Sequence, residues 1–533
     1  MTMRIACVGG GPGGLFLATL VKAGNPSAEV TVFERNRADD TFGFGVVFSD
    51  ATLAAIHAAD PVVRDALSEH GMHWDAIEVR LKGERYRCGG NGMAAIARKT
   101  LLGVLQERAS QVGVDLRFES EVELDDLRDY DLVVAADGAN SRIRERLAGA
   151  LGPSAETATA KFIWFGTTYA FDGLTFVHER GPDGVFAVHG YPISPDVSTF
   201  IVETDQNSWR AARLDEFDVA QPPGPSDLKS KEYLEKLFAE QIDGHPLLVN
   251  NSRWGNFRTR RTGSWSAGNV VLLGDAAHTA HFSVGSGTKM AMEDAVALAA
   301  ALVAHPDDLG AALTAYEESA RPSVEKIQGS ARPSLSWWEH FGRYHDTLEP
   351  WQFAFHFLTR SISGGKLARR DPGFVERTRA AWVAAEGSGP LRTPFRFGGV
   401  AVPGRLVQVS LTDDGAVVGG VPLVAEPREG MGARSWGLWL EAPQTEAELP
   451  GALASLNAGV TAGPALVGVH GGSRLTRTLL AEEARLATGT SALVIDDDLD
   501  LDQAETLVLS GRADLVGRTG GLSGGADLDG RSG

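Results

Sequence analysis

Glycines at positions 9, 11 and 14 stand at the spacing of a nucleotide-binding turn directly after an apolar run. The first glycine permits a tight turn, the second lets the backbone approach a pyrophosphate, and the third lets the next helix pack closely on the strand. The N-terminus of that helix presents unpaired N–H groups and the positive end of its dipole to phosphates. We therefore predict a dinucleotide site at Gly9, Gly11, Pro12, Gly13 and Gly14.

An acidic residue follows the glycine turn at the distance that such a site requires. Glu34 lies 20 residues after Gly14, at the end of the apolar run Glu29–Phe33. A carboxylate there can accept hydrogen bonds from both hydroxyls of an adenosine ribose. Arg35 is included with Glu34 among the predicted cofactor-binding residues. In a strand–turn–helix–strand context the pattern favours a nucleotide site over an ordinary turn, but it does not separate NAD from FAD.

Two further apolar runs end in a carboxylate beside a glycine, and they favour FAD. Val270–Leu273 leads into Gly274-Asp275, and Val133–Ala136 leads into Asp137-Gly138. A carboxylate at Asp275 can hold a hydroxyl of a ribitol chain, which FAD contains and NAD lacks.

The elements that must position these residues predict an α/β fold. A Rossmann-like FAD-binding domain is interleaved with a mostly antiparallel β-sheet substrate domain, because short strand-like runs interrupt the alternating strands and helices. A small α/β domain follows at the C-terminus. The predicted limits are 1–155 and 263–385 for the FAD-binding domain, 156–262 for the substrate domain, 391–515 for the C-terminal domain and 517–533 for a disordered tail.

Composition excludes several classes of protein. The 50 basic and 69 acidic residues give a net charge of −19, which argues against a nucleic-acid or anionic-membrane partner. Two cysteines in 533 residues cannot form a disulfide framework, so we expect a reducing, cytoplasmic location. No run is long and apolar enough to predict a membrane-spanning helix.

In this order the three motifs resemble the single-component FAD-dependent aromatic hydroxylases, the class A flavoprotein monooxygenases. The resemblance extends over about residues 3–385. It implies that NADH or NADPH reduces the flavin and leaves, and that a flavin C4a-hydroperoxide then hydroxylates an electron-rich ring. It also implies that Asp137 and Gly138 lie near the cofactor pyrophosphate, that Asp275 binds the ribitol, and that Arg98 contacts the cofactor.

Three other segments narrow the resemblance to one branch. Gly43–Ser49, Phe162–Gly166 and His281–Ala295 are similar to the salicyloyl-CoA and anthraniloyl-CoA hydroxylases and to the tryptophan hydroxylase of violacein formation. The wider family usually has two prolines where this chain has His281 and Phe282. The branch implies a small aromatic substrate, first of all an aryl-CoA ester or a related activated aromatic acid. A free indole or tryptophan-like compound and a carrier-bound aromatic are the alternatives.

The loop after Asp275 is the predicted centre of the chemistry. Gly285 and Gly287 would let backbone N–H groups reach the flavin's pyrimidine edge, where negative charge develops on reduction. His281 is the predicted catalytic residue, as a proton carrier or substrate hydrogen-bond partner, with a packed or solvated histidine as the alternative. The predicted substrate contacts are Val47, Phe48, Trp164 and Phe282.

No metal site is predicted. His278 and His281 are three residues apart, but a third ligand at compatible spacing is missing from the sequence around them.

The C-terminal region resembles parts of an old-yellow-enzyme-like flavin barrel. Thr393–Phe397 is similar to the opening of such a barrel, and Leu479–Leu515 to its last two βα units. Only about 125 residues are present, where a full (β/α)₈ barrel needs about 250. We therefore expect an incomplete remnant without FMN and with exposed strand edges, separated by a linker at Glu386–Pro390 and dispensable for flavin chemistry. An unrelated α/β tail is the alternative.

Two other functions remain open from the sequence. One is a flavoprotein oxidoreductase that does not hydroxylate, such as a dehydrogenase or a halogenase. The other is a non-catalytic FAD-stabilised binding protein, against which the intact cofactor motifs argue. The chain is expected to be a monomer or a homodimer.

Overall fold

A computed structural model of the chain describes residues 3–41, 43–49, 52–217, 224–285, 287–426 and 431–520. The chain divides into two compact units, Met1–Gly342 (unit 1) and Arg343–Gly533 (unit 2). Among the described residues, no helix combines the length and the apolar character needed to cross a bilayer.

The described strands of unit 1 are β1 (Arg4–Val8), β2 (Glu29–Phe33), β3 (Gly45–Ser49), β4 (Met72–Trp74), β5 (Ile77–Leu81), β6 (Glu84–Cys88), β7 (Met93–Ala97), β8 (Asp115–Arg117), β9 (Leu132–Ala135), β10 (Pro153–Thr167), β11 (Thr175–Gly181), β12 (Gly184–Pro192), β13 (Ser198–Thr204), β14 (Leu247–Leu248), β15 (Gly255–Thr262), β16 (Ser266–Ala267) and β17 (Val270–Leu272). Its helices are α1 (Pro12–Gly24), α2 (Ala54–Ala59), α3 (Val62–His70), α4 (Arg98–Gln111), α5 (Arg142–Arg146), α6 (Ala148–Leu151), α7 (Gln206–Ala211), α8 (Leu228–Leu237), α9 (Gly287–Ala304) and α10 (Leu309–Thr347), the last of which continues into unit 2.

The first sheet of unit 1 has the strand order β16-β17-β9-β1-β2-β8. All its pairings are parallel except the one between β16 and β17. Its central strands are almost entirely buried, which explains their continuous apolar sequences. The α/β prediction is confirmed, and the two strands that precede the Asp-Gly and Gly-Asp motifs, β9 and β17, are neighbours.

A second sheet has the order β14-β10-β13-β12-β11-β5-β6, with β15 also paired to β10. Its pairings are antiparallel apart from that between β11 and β5. The chain visits this sheet twice, first at β5 and β6 and again from β10 to β15, and it returns to the first sheet at β16. The two sheets are therefore interleaved along the chain. The strands β3, β7 and β4 form a small third sheet.

The described strands of unit 2 are β18 (Phe395–Phe397), β19 (Val400–Val402), β20 (Leu406–Thr412), β21 (Gly415–Val418), β22 (Val421–Val424), β23 (Gly437–Glu441), β24 (Val467–His470), β25 (Ala492–Ile495) and β26 (Leu515–Arg518). Its helices are α11 (Pro350–Leu358), α12 (Gly364–Ala368), α13 (Pro372–Glu386), α14 (Leu449–Val460), α15 (Arg474–Glu482) and α16 (Leu501–Leu509), and a π-helical turn at Glu483–Ala487 follows α15.

The strands β20 to β26 form a closed barrel, so the expectation of exposed strand edges was wrong. The antiparallel run β20-β21-β22 takes the place of further βα units, and the parallel pairing of β26 with β20 closes the ring. Closure satisfies the edge hydrogen bonds that an incomplete barrel would leave open. Strand β26 extends to Arg518, two residues into the predicted disordered tail 517–533, and residues 521–533 of that tail lie outside the described residues.

Glu386–Pro390 does not separate two independent bodies, because both of its sides belong to unit 2. Glu386 accepts a hydrogen bond from Arg405 at 3.1 Å, and the Trp382 indole N–H donates to the Thr393 hydroxyl at 3.0 Å. The linker interpretation was therefore wrong, since the helices α11–α13 pack as part of the same unit as the barrel. The predicted domain limits themselves remain a prediction.

Candidate active site

The glycine turn between β1 and α1 has the geometry of a phosphate cradle. Gly9 has φ of +114°, and a Cβ there would lie 2.2 Å from the Ala136 carbonyl oxygen. A Cβ on Gly14 would lie 2.2 Å from the Gly9 carbonyl oxygen, so neither position tolerates a side chain. A Cβ on Gly11 would have no neighbour within 4 Å. Gly11 therefore faces open space at the start of α1, where Pro12 occupies the first helical turn.

A cleft of about 210 Å³ opens beside this turn. Glu34 lines it, and its carboxylate accepts from the Gly10 N–H at 2.8 Å and the Asn36 N–H at 2.9 Å. Arg35 is exposed and does not line the cleft, whereas Asn36 and Arg37 do. Sequence reasoning missed Asn36, whose side-chain amide also donates to the Glu34 carboxylate, at 2.8 Å, in the bend that follows β2. The full lining is Gly10, Gly11, Pro12, Glu34, Asn36, Arg37, Ala38, Asp40, Thr41, Arg98, Leu102, Gln106 and Phe118.

Asp137 follows β9 and keeps one carboxylate oxygen without a hydrogen-bond partner among the described residues. Its Oδ2 accepts from the Arg142 N–H at 2.9 Å, while Oδ1 is buried and has no such donor. Burial raises the pKa of this carboxyl, and hydrogen bonds from Ser141 and nearby backbone oppose that rise. Gly138, with φ of +83°, turns the chain next to it. An unpaired buried oxygen of this kind is a place for a ligand hydroxyl or an ordered water.

Asp275 lies in the short turn Gly274–Ala276 that follows β17. Its side chain remains accessible to solvent, and no hydrogen bond to it is formed by the described residues. The surrounding protein raises the pKa of the Asp275 carboxyl by reducing its hydration, while the charges of His278 and Arg98 act in the opposite direction. The Asp275 carboxylate is thus held beside cations but left open to a ligand.

Two buried side chains hold the acidic turns in place, and sequence reasoning missed both. Asp294 of α9 accepts from the Gly274 N–H at 2.9 Å and lies 2.8 Å from the His278 Nε2. Arg144 donates to the Ala276 carbonyl oxygen at 3.0 Å and to the Ala139 carbonyl oxygen at 2.9 Å, which connects the two turns.

A signal for Asp294 was present in the sequence. It stands four residues from Met290 and four from Leu298, so a carboxylate occupies the buried face of an amphipathic helix. A buried carboxylate at such a position needs hydrogen-bond donors, which here are the His278 ring and the Gly274 backbone N–H. Arg144 carried no comparable signal, because its partners lie in turns that only the fold brings together.

Arg98 begins α4 and lies between the cleft and the Gly43–Ser49 segment. Its backbone N–H donates to the Phe44 carbonyl oxygen at 2.8 Å, and its side chain lines the cleft. Burial lowers the pKa of the guanidinium, and the nearby Asp275 and Tyr191 act in the opposite direction. Arg98 and Asp275, which were both predicted to contact the cofactor, therefore lie close enough for each charge to stabilise the other.

His281 is buried next to a glutamate that the sequence did not single out. Its Nδ1 accepts from the Ser283 N–H at 3.3 Å and lies 2.7 Å from the Ser283 hydroxyl, which is 2.8 Å from the Ser334 hydroxyl. Its Nε2 lies 3.6 Å from Glu203 Oε1, and the same oxygen is 3.6 Å from His189 Nε2. Because Nδ1 accepts a backbone hydrogen, neutral His281 carries its proton on Nε2, facing Glu203.

Aromatic side chains gather around Phe282, next to His281. We call the set Trp74, Phe162, Trp164, Tyr191, Phe257 and Phe282 the aromatic cluster. Ring centres of Phe282 and Trp164 are 5.3 Å apart, and the Trp74 and Tyr191 rings stack at 6.4 Å.

Val47 and Phe48, both predicted to contact substrate, point to opposite sides of β3. Val47 packs beside the aromatic cluster, whereas Phe48 is 1% exposed in the main core of the first sheet. Successive side chains of a strand alternate between its faces, so both could not serve one site. We therefore remove Phe48 from the candidate substrate residues.

The glycines of the loop after His281 are placed differently from each other. Gly285 has φ of +62°, and its N–H donates to the Phe282 carbonyl oxygen at 2.8 Å. That N–H is committed to the turn, so the predicted donor role falls to Gly287, the first residue of α9. Ser286, between them, lies outside the described residues. Within the described ranges no three His, Cys, Asp or Glu residues are grouped to hold a metal ion.

Comparisons with known proteins agree with this geometry. A family model described as an FAD binding domain matches residues 2–331. A salicyloyl-CoA 5-hydroxylase from a Streptomyces species is 62% identical over 522 residues, covering 97% of this chain and 100% of the relative. A 3-hydroxy-4-methyl-anthranilyl-(aryl-carrier protein) 5-monooxygenase from Streptosporangium sibiricum is 40% identical over 304 residues, covering 57% of this chain and 80% of the relative.

A solved structure shows the same fold at lower identity. The p-nitrophenol 4-monooxygenase of Pseudomonas putida DLL-E4 superposes with a TM-score of 0.54 at 18% identity, covering 70% of this chain and 97% of that one. The family model spans more than half of this chain, and the Streptomyces relative is matched along its whole length. This protein therefore belongs to the FAD binding domain family and is an FAD-dependent aromatic monooxygenase of class A.

Proposed function

We propose that this protein hydroxylates the ring of an aromatic acid carried as a CoA thioester, with salicyloyl-CoA as the first candidate. The observation that carries the proposal is the 62% identity to a salicyloyl-CoA 5-hydroxylase over 97% of the chain, which includes most of unit 2. The carrier-protein relative covers only 57% of the chain.

The residues of unit 1 fit FAD. The turn at Gly11 and the N-terminus of α1 would receive the pyrophosphate, and Glu34 the adenosine ribose. The unpaired Oδ1 of Asp137 and the open carboxylate of Asp275 would accept hydrogen bonds from the cofactor. When bound, FAD supplies the activation of oxygen with electrons from NADH or NADPH.

The chain's own part in the chemistry is to bind, orient and exclude water. The aromatic cluster would hold the ring against the apolar side chains of Val47, Trp164 and Phe282. In this proposal His281 moves a proton between the Ser283 hydroxyl, 2.7 Å from its Nδ1, and Glu203, whose Oε1 is 3.6 Å from its Nε2. Hydroxylation of a phenolic ring requires such a proton path, because charge develops on the ring oxygen.

Product analysis tests the proposal. Purified FAD-loaded enzyme is given salicyloyl-CoA, NADH or NADPH, and ¹⁸O₂, with free salicylate as the control. We expect a CoA product heavier by one ¹⁸O atom and little product from free salicylate. Oxygen arriving only from water, or no oxygenated product from any aroyl-CoA, would overturn the proposal.

A carrier-bound aromatic is the second candidate, favoured by the 40% identity to the carrier-protein monooxygenase. The same assay with a salicyloyl group on an aryl carrier protein separates the two, by comparison of kcat/KM for the two thioesters. We also propose a cytoplasmic location, because two cysteines in 533 residues cannot form a disulfide framework. The expectation of a monomer or homodimer stays a prediction.

A further inference from the structure

Two indole N–H groups in the aromatic cluster are buried without an acceptor among the described residues. They are Nε1 of Trp74 and Nε1 of Trp164. Both side chains pack against the same small group of buried residues, which consists of Ala95, Tyr191, Ile193 and Ile201. A buried indole N–H normally finds a hydrogen-bond partner, so two exceptions in one cluster require an explanation.

The two indoles are held in place by their surroundings. A Cβ on Gly173 would lie 2.8 Å from the Trp74 ring, which shows how closely the backbone covers that indole. Trp164 stands in register with Ile201 on the neighbouring strand, and its carbonyl oxygen accepts from the Ser252 hydroxyl at 2.5 Å. Both side chains are partly buried among these neighbours.

The position of the pair connects it with the proposed chemistry. Trp164 contacts Phe282, which directly follows His281, and Trp74 stacks on Tyr191, whose hydroxyl donates to the Gly45 carbonyl oxygen at 3.3 Å. The pair therefore belongs to the surroundings in which the aromatic ring is proposed to bind.

We propose that Trp74 and Trp164 donate their indole N–H groups to the carbonyl oxygen and the ortho oxygen of an aroyl thioester, an inference that rests on the proposed function. An indole N–H is a donor only. It pairs with an ortho-hydroxyl oxygen, but an ortho-amino group presents mainly donors to it. The indole that meets the ortho oxygen thus selects ortho-hydroxy over ortho-amino and unsubstituted aroyl thioesters, whereas the indole that meets the carbonyl oxygen strengthens the binding of all three.

Equilibrium binding tests this selection without turnover. Salicyloyl-CoA, 2-aminobenzoyl-CoA and benzoyl-CoA are titrated calorimetrically into oxidised, FAD-loaded enzyme in the absence of NADH and NADPH. We expect the wild type to bind salicyloyl-CoA at least about tenfold more tightly than the other two, the usual effect of one buried hydrogen bond. W74F or W164F should bring at least one of these ratios close to one.

Trp209 supplies a matched control. Its indole N–H also lacks an acceptor among the described residues, but its ring lies 4.1 Å from the Lys161 ammonium and outside the aromatic cluster. W209F should leave all three affinities in their wild-type ratio. Replacing Trp74 or Trp164 by 3-benzothienylalanine, which keeps the ring shape and lacks the N–H, separates loss of the donor from loss of volume.

The outcomes are distinguishable. The inference would be overturned by a wild-type ratio near one, or by isosteric variants at both Trp74 and Trp164 that leave the three affinities in their wild-type ratio. In either case, salicyloyl-CoA binding would still support the proposed function. Failure of the wild type to bind any of the three thioesters would overturn the proposed function and this inference with it. FAD content and the far-ultraviolet spectrum of each variant verify that it is folded.

Discussion

The carboxylates in the turns after β9 and β17 of unit 1 and the buried glutamate of unit 2 are used in opposite ways. In these two turns, Asp137 keeps a buried oxygen without a described donor, and Asp275 accepts no hydrogen bond from the described residues. In unit 2, Glu482 accepts from the Tyr344 hydroxyl at 2.5 Å and lies 3.2 Å from His356 Nε2. The first arrangement leaves acceptors for a ligand, whereas the second uses them to hold the fold.

The pKa values of the two regions differ in the same sense. Burial raises the pKa of both Asp137 and Asp275. Burial also acts to raise the pKa of Glu482, but the hydrogen bond and charge of His356 and the charge of Arg512, whose Nε is 3.3 Å away, lower it to about 2. A carboxylate that stabilises the fold is thus surrounded by donors and cations of the protein itself, whereas a carboxylate that can bind a ligand lacks some of these partners.

The largest expected effect follows from cutting the chain after residue 390. The region of helices α11–α13 would then lose its hydrogen-bond partners from beyond residue 390. One of them is Thr506, whose hydroxyl accepts from the Gly364 N–H at 2.8 Å. Buried Phe353, Phe355 and Phe357 would lose their covering. We expect residues 343–390 to be cleaved rapidly in limited proteolysis, monitored by mass spectrometry, while the full chain resists. Equal resistance of both would show that unit 2 is not one cooperative body.

Glu482→Gln should be the most destabilising single change at these carboxylates. It leaves Arg512 and its neighbours without a negative partner, and breaking a buried ion pair costs about 3–5 kcal/mol. Urea unfolding monitored by circular dichroism measures the loss. Glu505→Gln is the matched control, because its pair with Arg379 is only half-buried and should contribute about 1 kcal/mol or less. Similar losses in both variants would contradict the structural role of Glu482.

The same cluster predicts a pH dependence of stability. Glu482 has its pKa lowered from 4.5 to about 2, so its contribution is present above pH 4.5 and is lost as the pH falls towards 2. Burial and the charge of Arg512 lower the pKa of His356 from 6.5 to about 4, so the unfolded chain binds a proton first and stability also declines from pH 6.5 to 4.

Unfolding free energies measured from pH 8 to 3 examine this dependence. The difference between the wild type and Glu482→Gln should stay constant above about pH 5 and shrink below it. A difference independent of pH down to 3 would mean that Glu482 has the same pKa in the folded and the unfolded chain.

Asp275→Ala should produce a smaller effect, on cofactor binding and not on the fold. Removing one charge-assisted hydrogen bond should weaken FAD binding by about 1.5–3 kcal/mol. Quenching of flavin fluorescence on titration of the apoprotein measures the dissociation constant. Asp307→Ala, at an exposed position, is the control and should bind FAD like the wild type. Unchanged FAD affinity in Asp275→Ala would remove Asp275 from the proposed ribitol contact.

Local pattern was enough for the fold class and the cofactor, while the class of reaction came from the family resemblance that the same motifs carry. The glycine turn, the run Glu29–Phe33 and the carboxylates after β9 and β17 each depend on residues adjacent in sequence, so their chemistry is visible in the chain itself. The interleaving of the two sheets also followed from strands that resume after an insertion.

Tertiary structure decided what the chain brings together from distant positions. It placed Glu203 against His281, connected two turns through Arg144, separated Phe48 from Val47 and grouped Trp74 with Trp164. It also closed the barrel by pairing β26 with β20, more than a hundred residues earlier. These contacts depend on strand register and on which face of an element is buried. Those features are determined by packing of the whole unit and leave no local signal in the sequence.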